Sequence, residues 1–197
     1  MVTGKRGRPR SFDREAALEK AVLAFWERGY EATSISELTA VMGIGAPSLY
    51  AAFGDKRKLF DEAVAAYAAR YGAFGGAALA EEPTARDAVA RILREAAETY
   101  ADPSHPAGCM VVCAAVNTTD DEVAEGLRQR RNANMEAFAA RIRADVAAGL
   151  LPAGTDAAGL ARYFGAVIQG MSQQSRDGAT REDLLALAGT AMRAWPE

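Results

Sequence analysis

A chain of 197 residues with a net charge of −3, one histidine and two cysteines is long enough to bury its own core and too poor in cysteine to be a disulfide scaffold. It has no apolar run approaching the roughly 18 residues of a membrane span, and Lys5-Arg6-Gly7-Arg8 lacks the apolar stretch of a secretory signal, so a cytoplasmic protein with no membrane partner is expected. Charge is uneven: residues 1–60 hold ten Lys/Arg against seven Asp/Glu, and the remainder thirteen against nineteen, which places the cationic surface at the N-terminal end.

Residues 1–12, MVTGKRGRPRSF, read as a basic flexible arm; Arg8 and Arg10 would either track a nucleic-acid groove or belong to a solvated tail. Asp13 caps a helix to about Arg28, with Leu18, Val22, Phe25 and Trp26 on one face and Gly29 as its stop. Ser34 and Glu37 form a capping box for a second helix whose Ile35, Leu38 and Met42 share a face, and Gly43 supplies the positive φ that ends it. After the turn Gly43-Ile44-Gly45, Pro47 takes the first position of a third helix. Leu49 and Phe53 face back toward the second helix, and Ser48, Tyr50 and Ala51 point outward. Two short helices joined in this way make a helix-turn-helix, with Gly45 and Ala46 at the end of the reading helix nearest the bases. Asp55 caps the next helix, in which Lys56-Arg57-Lys58 sit where the macrodipole disfavours cations. An anion is therefore expected nearby, a phosphate backbone being the simplest.

That helix, 55–71, carries Phe60, Ala63, Val64, Tyr67 and Tyr71 at helical spacing until Gly72, Gly75 and Gly76 break the pattern. Thr84 with Asp87 opens a helix to about Ala101, and Asp102–Gly108 is a loop with two prolines. The run from Cys109 to Val116 fits a strand or a buried helix, the helical company favouring helix. Asp120 and Asp121 open a long helix to about Ala148, closed by Gly149. A final hairpin pairs Asp156–Arg176 with Thr180–Trp195; its small residues suit close helix packing. The expected fold is all-α with about nine helices: an arm over 1–12, a three-helix helix-turn-helix domain over 13–58, and a helical domain over 59–197, with helix 55–71 as connector.

Gly29-Tyr30, Thr33, the Ser34 capping box, Pro47-Ser48-Leu49-Tyr50, Phe53 and Lys56 resemble the N-terminal domain of TetR-type transcriptional regulators, the resemblance running from about Ser11 to Tyr67. It implies a homodimer bound to a double-stranded DNA operator, a C-terminal ligand-binding and dimerising domain, and an unidentified small-molecule inducer. No cofactor is expected. Tyr50 and Lys56 match positions that commonly touch phosphates, as do Thr33 and Ser34. The two last helices would pair with their mates through Phe164, Val167, Ile168, Met171, Leu184, Leu187, Ala188, Ala191, Met192 and Trp195. An ordinary intramolecular core is the other reading of those residues.

Cys109 and Cys113, four apart, would share a helix face and admit three readings. They are small apolar packing, a redox or electrophile sensor with a lowered pKa at a helix N-terminus, or a soft-metal pair with His105 as third ligand. Gly108-Cys109 resembles a branch of the family in which a cysteine here senses electrophiles. Tyr67, Tyr71, Phe74, Tyr100, Met110, Met135, Phe138, Tyr163 and Gln169, aromatic or long with polar tips, are candidates to line a ligand cavity. The rival classes are a cysteine enzyme, for which no oriented base accompanies Cys109, and an architectural DNA binder with no ligand.

Overall fold

The computed structural model describes residues 12–114 and 116–196, and among these every regular element is helical. Ten helices follow in order: α1 Arg14–Ala32, α2 Ile35–Met42, α3 Ala46–Phe53, α4 Lys56–Arg70, α5 Ala73–Glu81, α6 Ala85–Tyr100, α7 Met110–Cys113, α8 Asp121–Ala147, α9 Ala157–Arg176 and α10 Arg181–Met192.

The expected caps are in place. Asp13 accepts from the amides of Glu15 and Ala16, the Ser34–Glu37 box closes in both directions, and Asp55 accepts from Lys58 N. Pro47 is the second rather than the first residue of α3, which costs nothing because its missing N–H still falls among the open donors of a first turn. The first helix breaks at Gly29, whose φ of 80° and ψ of 172° fall in a region open essentially to glycine alone. The last three residues of α1 therefore leave along a new direction.

The glycine-rich stretch after Tyr71 is not a break but α5. Two adjacent glycines weaken its local preference for helix, and tertiary contacts supply what propensity does not. Ala78 is fully buried against α6, Arg91 of α6 reaches Glu81 and Glu82 at 2.9 and 3.0 Å, and Arg141 of α8 donates to the carbonyls of Glu82 and Pro83. Buried Asp145 then accepts the first amide of α6, Ala85 N, at 2.6 Å. In the other direction α7 is shorter than the Cys109–Val116 run led one to expect, a single turn capped by Cys109.

Two cores result. The first packs Phe25, Trp26, Leu38, Leu49, Phe53 and Phe60 with Tyr67, and it takes in Met110, Val111 and Ala114 from the α7 region and Val123 and Leu127 from α8. The second joins α6, α8, α9 and α10 through Ile92, Leu93, Phe138, Phe164, Met171 and Leu184, with many alanines between. Trp26 stands where head and body meet, edge-on to Tyr67 and Tyr71 and stacked on His105 at 4.5 Å.

Candidate nucleic-acid interface and the cavity behind it

The exposed face of α3 is made by the residues the sequence offered. Tyr50 is 49% exposed, Gly45, Pro47 and Ala51 are exposed, and Ala46 and Ser48 are half-buried. Leu49 and Phe53 anchor the helix from beneath. Ser34 is exposed at the tip of α2, its hydroxyl shared with Glu37. Thr33 must be corrected: it is fully buried and its hydroxyl donates to Gly29 O at 2.6 Å, so it splints the Gly29 break rather than facing a phosphate. Arg8 and Arg10 lie outside the described residues.

The cations opening α4 also have nearer partners than DNA. Arg57 pairs with Glu122 of α8, and Lys58 lies 3.7 Å from the capping carboxylate of Asp55. Half-buried Lys56 holds its amine 4.3 Å over the Tyr30 ring. Burial lowers the Lys56 pKa, while Glu31, Asp120 and Glu37 pull it back up. The anion demanded by the helix end is thus largely supplied by the protein's own carboxylates.

Those contacts form a seam between head and body. Tyr30 N donates to Ala114 O at 3.1 Å, and the Tyr30 hydroxyl reaches Asp120 at 3.3 Å. Burial first, and Asp120 second, push the Tyr30 phenol up to about 12. Glu31 accepts from Thr118 and from both the amide and the hydroxyl of Thr119, which lowers its pKa. The end of α1 is therefore hydrogen-bonded to the segment joining α7 and α8, and the start of α4 to the first turn of α8.

Behind the seam lies a cavity of about 340 Å³ between α4, α5, α6, α8 and α9. Tyr67, Phe74, Tyr100, Cys109, Met135, Phe138 and Gln169 line it, as the sequence offered, and Ile168, assigned to the dimer face, lines it too. Three candidates sit elsewhere. Tyr71 packs on Trp26 and His105 and donates to Glu19, Met110 is wholly within the first core, and Tyr163 is 42% exposed beside Phe164. Residues missed include Leu79, Ile92, Arg130, Arg131 and Asn134. The arginines had a signal: no acidic residue lies three or four positions from either along α8, whereas a solvated helical arginine commonly has one.

Cys109 is half-buried at the cavity edge, its amide donating to the hydroxyl of buried Ser172 at 2.8 Å, and Cys113 Sγ lies 3.5 Å from the same hydroxyl. Cys113 does not line the cavity. Burial pushes the Cys109 thiol above its ordinary range, and the neighbouring phenols of Tyr67 and Tyr100, which pull the other way, do not offset it. The lowered pKa expected of a helix N-terminus is overturned because a one-turn helix offers little dipole and the surroundings are apolar. His105 is stacked on Trp26, and among the described residues no three His, Cys, Asp or Glu side chains stand together as a metal site, which corrects its reading as a third ligand.

On the terminal hairpin, Phe164, Met171 and Leu184 are fully buried, and Ala188, Ala191 and Trp195 nearly so, within the chain's own second core. This corrects their assignment to an exposed partner face, because a side chain already enclosed has no surface left to lend. Val167, Leu187 and Met192 remain half-buried and Ala166 and Gly189 exposed. No helix among the described residues is long and apolar enough to cross a membrane.

The model for bacterial regulatory proteins of the tetR family matches residues 17–63. The HTH-type transcriptional repressor ComR of Escherichia coli (strain K12) is 37% identical, covering 100% of this chain and 95% of that one. BdcR of the same organism, also an HTH-type transcriptional repressor, is 37% identical over 57% of this chain and 59% of its own length. A solved structure of a cysteine mutant of the TetR family regulator CifR, complexed with 26-base-pair double-strand operator DNA, is 43% identical with a TM-score of 0.92, covering 96% of this chain and 100% of that one. With a reading helix so disposed and similarity along its whole length, the chain belongs to the TetR family: it is a DNA-binding transcriptional regulator and not an enzyme.

Proposed function

We propose that this regulator is a repressor that binds a near-palindromic operator as a homodimer and leaves it when a small molecule fills the cavity behind the seam. In this reading Gly45, Ala46, Pro47, Ser48 and Ala51 enter the major groove, Ser34, Tyr50 and Lys56 meet phosphates, and half-sites lie roughly 34–36 Å apart. The small side chains of α3 offer few hydrogen bonds to base edges, so specificity leans on Ser48, on alanine contact with thymine methyls and on DNA shape. The dimer contact falls on the outward strip of α9 and α10 through Val167, Leu187 and Met192.

One observation carries the reading: the turn that borders the cavity at Cys109 also gives its last carbonyl, at Ala114, to Tyr30 of the head. A ligand that favours another position of α7 shifts the two heads away from the spacing DNA requires. Sequencing DNA retained by the purified protein, then titrating a retained fragment while recording mass by light scattering, tests both parts. A dimer on an inverted repeat is expected; a monomer, or retention without sequence preference, overturns the proposal.

A second reading, release by thiol modification, is supported by the position of Cys109 at the cavity edge between two phenols. Cys109→Ser should abolish release by electrophiles such as N-ethylmaleimide. Release that survives the substitution leaves Cys109 as packing.

A further inference from the structure

We infer that the cavity takes a small amphipathic organic anion, its apolar body among Tyr67, Phe74 and Phe138 and its acidic head at Arg130 and Arg131; the inference rests on the ligand-responsive reading above. The cavity lining holds these two guanidiniums and no carboxylate, although the sequence beyond residue 60 carries an excess of acids. The other arginines of α8 among the described residues are matched: Arg128 with Glu125, Arg141 with Asp145 and Arg143 with Glu136. Arg130 and Arg131 form no ion pair among the described residues. Asp61, near enough to feel the charge of Arg130, lines a groove between α4 and α8 that Arg130 also borders, and does not enter the cavity. Two unpaired guanidiniums on the lining of an apolar chamber favour a ligand that brings the missing charge, because a guanidinium gains most from a planar acid that accepts its hydrogen bonds.

The site also has a route to the head. Half-buried Arg131 donates to Val111 O, inside α7, at 3.0 Å. A carboxylate is a stronger acceptor than an amide carbonyl, so an acid bound at Arg131 draws it off Val111 and frees the turn whose end is hydrogen-bonded to Tyr30. Arg130, exposed at the rim, captures the acid without holding the fold.

Octanoate, octanol and octylamine, which share a tail and differ in head, decide the matter by calorimetric titration and thermal shift on the full chain. Octanoate should bind roughly tenfold or more tighter than octanol, with octylamine weakest, as a charge-assisted contact requires. Arg130→Gln should remove most of that preference, lowering octanoate affinity far more than octanol affinity; Arg131→Gln should remove it too, and Arg130→Gln carries the test if loss of the Val111 bond unfolds that variant. Equal affinity for octanoate and octanol, or no binding by any of the three, overturns the inference. If octanoate binds with the stated preference and the protein nonetheless stays on its retained DNA, the site stands and the ligand-release reading alone falls.

Discussion

The head and the body of this molecule solve packing differently. Around Trp26 the head concentrates Phe25, Tyr30, Phe53, Phe60 and Tyr67 in one interlocked aromatic group; α1, α2 and α4 each start on a side-chain cap, and α3 starts at Gly45 with Pro47 in its first turn. The body is built with alanine and glycine between longer helices and leaves a chamber open. Aromatic packing with locked helix ends gives a reader one shape, whereas helices spaced by small side chains leave room for a guest and shift at lower cost. In the proposed reading the difference separates what must be constant, the face shown to DNA, from what would respond to a ligand.

The largest expected effect strikes where the two regions share a residue. Trp26→Ala, at a fully buried site touching both, should cost about 3–5 kcal/mol, measured by denaturant unfolding. If the head melts alone in a first step, the shared core is weaker than the packing implies. Next, Gly29→Ala forces alanine into a glycine-only backbone region and brings its Cβ to 3.4 Å of Ala114 O. A loss of about 1–3 kcal/mol is expected, and an unchanged melting temperature would show that the seam tolerates another path. Tyr50→Ala or Lys56→Ala should weaken binding to operator and unrelated DNA alike, by about 1 kcal/mol, and Lys56→Ala alone should also lower the salt slope by about one. The melting temperature should hold for Tyr50→Ala, and unchanged affinity at moderate salt removes that residue from the interface. Ser34→Ala, which opens the capping box, should cost about 1 kcal/mol of head stability.

The smallest effect at neutral pH concerns the thiol. Since burial raises the Cys109 pKa above its ordinary value near 9, alkylation by iodoacetamide should be slow at pH 7 and still be accelerating beyond pH 9. A thiol with a raised folded pKa adds stability below the unfolded value and loses it as pH climbs through the folded one, so the same window should show a falling melting temperature that Cys109→Ser abolishes. A rate that levels off below pH 8 would mean the thiol is not shielded as described.

Legibility in the sequence tracks how local the causes are. The caps at Asp13, Ser34, Asp55, Thr84, Asp120, Asp156 and Thr180 act within three residues, and these helix starts could be read directly. Helix α5 could not, because its determinants are Arg91 and Arg141 on other helices. The outward face of α3 followed from helical period alone, but Thr33 did not, since its burial depends on the Gly29 break. Among the cavity residues, aromatic character named Tyr67, Tyr100 and Phe138 correctly and misplaced Tyr71 and Tyr163, because composition says which side chains suit a chamber and not which helix face encloses it. Arg130 and Arg131 were visible only as arginines lacking an acid at helical spacing, an absence easily passed over.

Because the first core borrows Met110, Val111, Ala114, Val123 and Leu127 from beyond the connector helix, the reading unit cannot be transplanted by cutting after residue 58. A chimera carrying only that stretch would set Phe25 and Trp26 against foreign side chains and leave the Tyr30 amide with no acceptor. Swapping specificities between relatives therefore calls for exchanging the exposed positions of α3, one surface at a time, while the host keeps its own foundation.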